Sequence, residues 1–175
     1  MISNLLRRWH NVRWWHPTQF WGYLWLRLYQ LRLYRPRPDL RPPPSLREAN
    51  AGWRPYGRTV SMIGPTRFRF LNVEQELVSA ADWNRPDWPK LWLYNLHYFD
   101  DLVAEGAATR AGWHYELIRR WIAENPPGQG NGWEPYPVSL RLVNWVKWAL
   151  AGNALGTEAV QSLAVQTRWL RRRLE

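Results

Sequence analysis

Tryptophan sets the first constraint on this chain. It supplies 15 of the 175 residues, several times a usual share. Each indole brings a large flat apolar face and one N–H donor. A fold must either bury those rings together with their donors partnered, or display them for stacking on a flat ligand such as a sugar. Apolar residues make up 46 % and charged residues 22 %, which fits a packed core and excludes an overall disordered chain. The length allows one domain with an extension. No cysteine is present, so a disulfide framework and Cys-ligated zinc or iron–sulfur sites are excluded.

Charge is segregated along the sequence. Residues 1–60 hold eleven Arg against Asp39 and Glu48, a balance of +9, whereas residues 61–175 are nearly neutral. A near-neutral body argues against an electrostatic groove for nucleic acid, so no nucleic-acid partner is expected there. Arg7 and Arg8 resemble a signal n-region, but no continuous apolar run and no small-residue cleavage site follow, so no signal peptide is read. Phe20 to Leu26 is too short to span a bilayer. An Arg- and Trp-rich helix within residues 1–35 could instead lie on an anionic membrane surface as a peripheral contact. The competing reading is a first helix docked on the rest of the protein.

Periodicity outlines the elements. Thr18 is read as the cap of a first helix carrying Phe20, Leu24, Leu28 and Leu31 at helical spacing. Arg35 to Pro44 has five prolines in ten residues and reads as an extended connector rather than a packed element. Residues 59–63 and 67–71 are expected to form a short β-hairpin about Gly64-Pro65; the second run alternates Arg and Phe. Helices are predicted over Gly112–Glu124, Pro137–Ala151 and Thr157–Leu174, with Thr157 as an N-cap. The predicted organisation is a basic helix plus connector over residues 1–44 and a mainly α domain over 45–175.

Two clusters carry candidate chemistry. On the helix expected over Pro137–Ala151, Leu142, Val146 and Ala149 are read as the core stripe. Arg141, Asn144 and Trp148 then share a different face with Trp145. A guanidinium, a carboxamide and indoles suit an acidic sugar, and the preceding Trp133, Glu134 and Tyr136 add to that surface. The competing reading is a buried Arg–Glu pair with Asn144 satisfying a backbone group. The second cluster is Asn95, His97, Tyr98 and Asp100, where Asn95, His97 and Asp100 could form a network and His97 could act near neutral pH. A structural histidine is the alternative. The histidine spacings propose no metal site, and no phosphate loop, nucleophile elbow or nucleotide fingerprint is present.

Residues 91–102, LWLYNLHYFDDL, and 121–148, WIAENPPGQGNGWEPYPVSLRLVNWVKW, resemble hallmark segments of the heparinase II/III-like proteins. FRFLN at 68–72 and Asp82-Trp83-Asn84 resemble the lead-in, and Trp14 to Arg35 the opening of that family's N-terminal domain. The resemblance implies an (α/α) toroid of helical hairpins, followed in the family by a β-sandwich absent here. It implies a polysaccharide lyase that cleaves uronate glycans by β-elimination, with no cofactor demanded. In such chemistry Asn, His or Arg neutralises the uronate carboxylate while Tyr or His removes the adjacent proton. The family's catalytic Asn-His pair, Tyr and second His lie on later segments, so no catalytic residue is assigned. Asn95, His97, Tyr98, Trp133, Glu134, Tyr136, Arg141, Asn144 and Trp148 are carried over as substrate-cleft or scaffold residues. The implied partners are an acidic polysaccharide and the remaining C-terminal portion on a separate chain. A non-catalytic glycan-binding or assembly protein of an exopolysaccharide system is the alternative. Members of the family are often periplasmic; the compartment of this chain is left open.

Overall fold

The protein was analysed as a computed structural model that describes residues 16–31, 37–44 and 57–173. It divides into two compact units, Met1–Arg37 and Pro38–Glu175. Residues 38–44 of the connector are grouped with the larger unit.

In the first unit, helix α1 spans Pro17–Leu31. It begins at Pro17, not after Thr18. Proline suits a first helical position because its fixed φ is already helical and it lacks an N–H that would go unpaired. The Gln19 side chain reaches back to accept the His16 N–H at 3.0 Å, the bond that a Gln at the third helical position makes to the residue before the helix.

The second unit is mainly helical with one small sheet. Strand β1 (Arg67–Phe70) pairs antiparallel with β2 (Val73–Glu76), Arg67 facing Glu76 and Phe70 facing Val73. The turn is Leu71-Asn72, both left-handed at φ 54° and 60°, the geometry that matches strand twist in a two-residue hairpin. Phe68 and Phe70 point into the core while Arg67 and Arg69 face out, as their alternation predicts. Residues 59–63 are not the main partner strand. They contribute one antiparallel Met62–Phe68 bridge with two backbone bonds, Arg69 N–H to the Ser61 carbonyl at 2.8 Å and Ile63 N–H to the Arg67 carbonyl at 3.0 Å.

Helix α2 (Lys90–Tyr98) ends at Phe99, a buried residue in the left-handed region at φ 61°. That conformation costs a bulky residue about 1–2 kcal/mol, so packing must hold it. It turns the chain into a short 3-10 segment at Asp100–Val103 and sends the two acids different ways. Helices α3 (Ala111–Glu124), α4 (Pro135–Leu150) and α5 (Thr157–Arg171) follow. Thr157 is the first helical residue of α5, and Gly156 occupies the cap position. Helix α4 packs on α2 and α5, and α3 packs on α5.

The core is aromatic. Trp83, Trp92, Trp121, Trp133, Trp145, Trp148 and Trp169 are all buried. Trp121 meets Trp145 edge-on at 5.8 Å, and Trp133 meets Trp169 the same way at 5.9 Å, the arrangement ring quadrupoles favour. The indole donors are placed: Trp83 on Glu124, Trp92 on the Val73 carbonyl, Trp121 on His97, Trp133 on the Asn125 carbonyl and Trp169 on the Trp133 carbonyl. Trp145 Nε1 has no partner among the described residues.

Residues 37–44 form no regular element, yet the connector is packed, contrary to expectation. Gln161 on α5 donates to the carbonyls of Leu40 and Arg41, and Arg168 donates to those of Asp39, Arg41 and Pro42. A proline-rich stretch has few N–H groups but a full set of carbonyls, which suits a helix face offering only donors.

Candidate functional site

Helix α4 is rotated away from its expected aliphatic stripe: Leu142 still packs partly buried against the core, but Val146 of that stripe does not. Val143 and Val146 are exposed, whereas Arg141, Asn144, Trp145 and Trp148 face inward at 0–2 % exposure. Arg141 is therefore not offered to a ligand. Its Nε donates to Gln166 Oε1 at 2.8 Å, and its two terminal nitrogens donate to the His97 and Gly132 carbonyls at 3.2 and 2.8 Å. The guanidinium lies 3.8 Å from the Trp121 ring centroid. No carboxylate accompanies it, so the expected Arg–Glu pair is replaced by neutral dipoles and a π face. Burial pushes the Arg141 pKa well below its ordinary value. Asn144 donates to the Tyr98 carbonyl and to Asp100 Oδ1, the backbone-satisfying role weighed above. Trp148 packs against Tyr115 and His114 in the interior.

His97 is fully buried in the same node. The Trp121 indole can only donate, so His97 Nδ1 accepts at 3.0 Å and Nε2 carries the proton toward the Trp83 carbonyl at 3.0 Å. Both nitrogens are occupied, the tautomer is fixed and the ring is neutral. Burial first, then the Arg141 cation, pulls its pKa down to about 3. His97 thus has no role as an accessible base. The network anticipated for Asn95, His97 and Asp100 does not form: Asn95 bonds the Leu91 carbonyl, and Asp100 bonds Asn144 and Arg58. Trp133 is likewise buried, clamped between Trp121 and Trp169.

Of the remaining candidates, Asn95, Glu134 and Tyr136 reach the surface, whereas Tyr98 is buried. Glu134 accepts a short hydrogen bond from Tyr94 and an ion pair from Lys90 at 3.0 Å, so its partners are a phenol and an ammonium. Tyr136 is exposed and meets Tyr98 edge-on at 5.6 Å. Burial, followed by the neighbouring Tyr136, Tyr94 and Asp100, raises the Tyr98 pKa to about 12. Burial, then the bond to Glu134, also raises that of Tyr94. Neither phenol is set up to lose a proton near neutrality.

Asn95 and Asp100 line an open cleft of about 620 Å³ beside the hairpin. Arg58, Thr59, Ser61, Arg69 and Asn72 complete its polar lining. Arg58 pairs with Asp100 at 2.6 Å and remains about half exposed, while Arg69 pairs with Glu74. Its chemistry is two guanidiniums, each already paired with a carboxylate, two carboxamides, two hydroxyls and the Asp100 carboxyl, and the guanidinium and carboxamide N–H groups are donors that a ligand carboxylate or hydroxyl can accept from. A second pocket of about 320 Å³ is almost wholly apolar, walled by Trp121, Trp133, Val165 and Leu40 of the connector.

Beneath the cleft sits a cluster that local spacing did not reveal. The backbone N–H groups of Ser61 and Met62 donate to Asp101 Oδ1 at 2.8 and 2.9 Å, and Arg110 and His114 hold Oδ2 at 2.8 Å each. Although burial opposes its charge, those bonds hold the Asp101 pKa down at about 2. This carboxylate fixes the cleft floor to α3. No group of three or more His, Asp or Glu side chains able to hold a metal occurs among the described residues.

Compared with protein-family models, curated proteins and solved structures, the chain matches none.

Proposed function

We propose that this chain is the glycan-holding, non-catalytic N-terminal portion of a heparinase II/III-like polysaccharide lyase. In this reading the helical hairpins are the opening arc of an (α/α) toroid, and the exposed Val143 and Val146 lie where a further hairpin would stack. The resemblance of residues 91–102 and 121–148 supports the family. The observation that carries the binding role is the cleft lined by Arg58, Arg69, Asn72 and Asn95, in which Arg58 would exchange its pairing with Asp100 for a ligand carboxylate. A uronate needs its carboxylate neutralised before the adjacent proton can leave, and guanidiniums and carboxamides supply that neutralisation. The base is not supplied by His97 or Tyr98, whose protons are fixed by burial. The residues expected to touch the sugar shift from Arg141, Asn144 and Trp148, which assemble the core, to the cleft, with Tyr136 and Glu134 at the neighbouring surface.

The test is calorimetric titration with oligouronates and with neutral oligosaccharides of equal length. Uronates should bind and neutral sugars should not, and R58Q/R69Q should weaken uronate binding by about tenfold or more, the loss of charge-assisted bonds. Absorbance of the unsaturated product should show no turnover. Failure to bind any uronate, or turnover by this chain alone, overturns the proposal.

A further inference from the structure

We propose that α1 is a membrane-surface helix that lies in the headgroup region of an anionic bilayer. Three observations meet in one segment. Phe20, Trp21, Tyr23 and Trp25 are 44, 66, 49 and 70 % exposed, four large rings within six residues. Residues 1–38 carry seven Arg and no Asp or Glu. Within that stretch the thirteen residues between Arg13 and Arg27 hold no charged side chain at all.

Indole and phenol rings with an apolar body and a polar tip are at home at the level of lipid headgroups. Arginines on either side of the aromatic run attract anionic headgroups, each worth about 1 kcal/mol near such a surface. Length decides between lying and crossing. Fifteen residues at about 1.5 Å each reach only about 22 Å, less than the hydrocarbon core. Among the described residues no helix is long and apolar enough to cross a membrane. The charge arrangement also separates lipid from single-stranded nucleic acid. Bases stacking on rings require cations beside each ring to follow the phosphates. Here the rings form an uncharged block flanked by cations at both ends, which fits an apolar face submerged between two rows of headgroups.

The experiment is co-sedimentation of the full chain with vesicles of phosphatidylglycerol mixed with phosphatidylcholine, and with phosphatidylcholine alone, across a salt series. The triple variant F20S/W21S/W25S removes the rings, and R7Q/R8Q/R13Q removes three cations. The urea midpoint of the larger unit serves as the fold check. Binding should require phosphatidylglycerol and weaken with salt. The arginine variant should weaken it about a hundredfold, the combined effect of three charges, and the ring variant should bring it to the level of phosphatidylcholine alone. Equal binding to both vesicle types, undiminished binding of the ring variant, or a single-stranded oligonucleotide that binds as tightly and displaces the vesicles overturns the proposal. This helix stands independently of the glycan cleft, so oligouronate binding is expected to survive both variants.

Discussion

Replacing Arg141 with lysine separates a core residue from a ligand residue. The guanidinium meets three acceptors, Gln166 Oε1 and the carbonyls of His97 and Gly132, and covers the Trp121 face. An ammonium is a point donor on a flexible stem. It can reach one of those acceptors, leaving two buried oxygens unpartnered at about 1–3 kcal/mol each. Part of a desolvated cation–π contact, about 2 kcal/mol at most, is lost with them. The sum is roughly 4 kcal/mol, a large fraction of a typical domain's stability. With a urea slope of about 2 kcal/mol per molar, the midpoint should fall by about 2 M, followed by tryptophan fluorescence. The double variant with Gln166→Leu should then cost less than the sum of the two single changes, because they share one bond. A lysine variant within about 1 kcal/mol of the parent, with weakened uronate binding, would refute the argument and return Arg141 to the ligand surface.

Acid should destabilise the larger unit in two stages. His97 is held near 3 in the fold against 6.5 in the unfolded chain, so the unfolded state takes up the proton first. Its contribution is complete above pH 6.5 and declines as pH falls, by about 2 kcal/mol at pH 5. Asp101, at about 2 against 3.8, adds a further loss below pH 3.8. Urea midpoints that do not change between pH 7 and 5 would contradict this. Gly132→Ala would place a methyl 2.7 Å from His97 Nδ1, on a ring bonded at both nitrogens and unable to swing aside. A loss of about 1–3 kcal/mol in thermal unfolding is expected; an unchanged midpoint would show that the node yields.

Helices α3 and α5 were readable because each has one apolar and one polar face, and their observed bounds sit within three residues of the expected ones. Helix α2 was not assigned: Trp92, Leu93, Leu96, His97 and Tyr98 are buried around much of its circumference, so no stripe stands out. In α4 the helical period holds but the buried face is rotated: Leu142 packs against the core, whereas Val146 is exposed. Counting aliphatics turned Val146 inward, but the indoles of Trp145 and Trp148 bury more area, and Arg141 follows them because carbonyls wait for it. Strand β2, Val-Glu-Gln-Glu, carries no alternation since it is mostly solvated. The cleft was illegible for another reason. Arg58, Arg69 and Asn95 come from three separate segments, brought to one place by contacts distant in sequence such as the Arg58–Ala104 bridge and the Arg58–Asp100 ion pair.

The proline-rich connector and helix α5 join across a separation of 121 residues, from Leu40 to Gln161. A ribosome therefore releases the connector long before its seat exists, and the ring of Trp133 also waits for Trp169. Such distant closure makes folding slow relative to a bundle of neighbouring helices, since chain entropy is surrendered before the contacts repay it. The last turn of α5 to emerge is then the event that locks the first strap in place, and a nascent chain halted before Arg168 would hold its early segments unlatched.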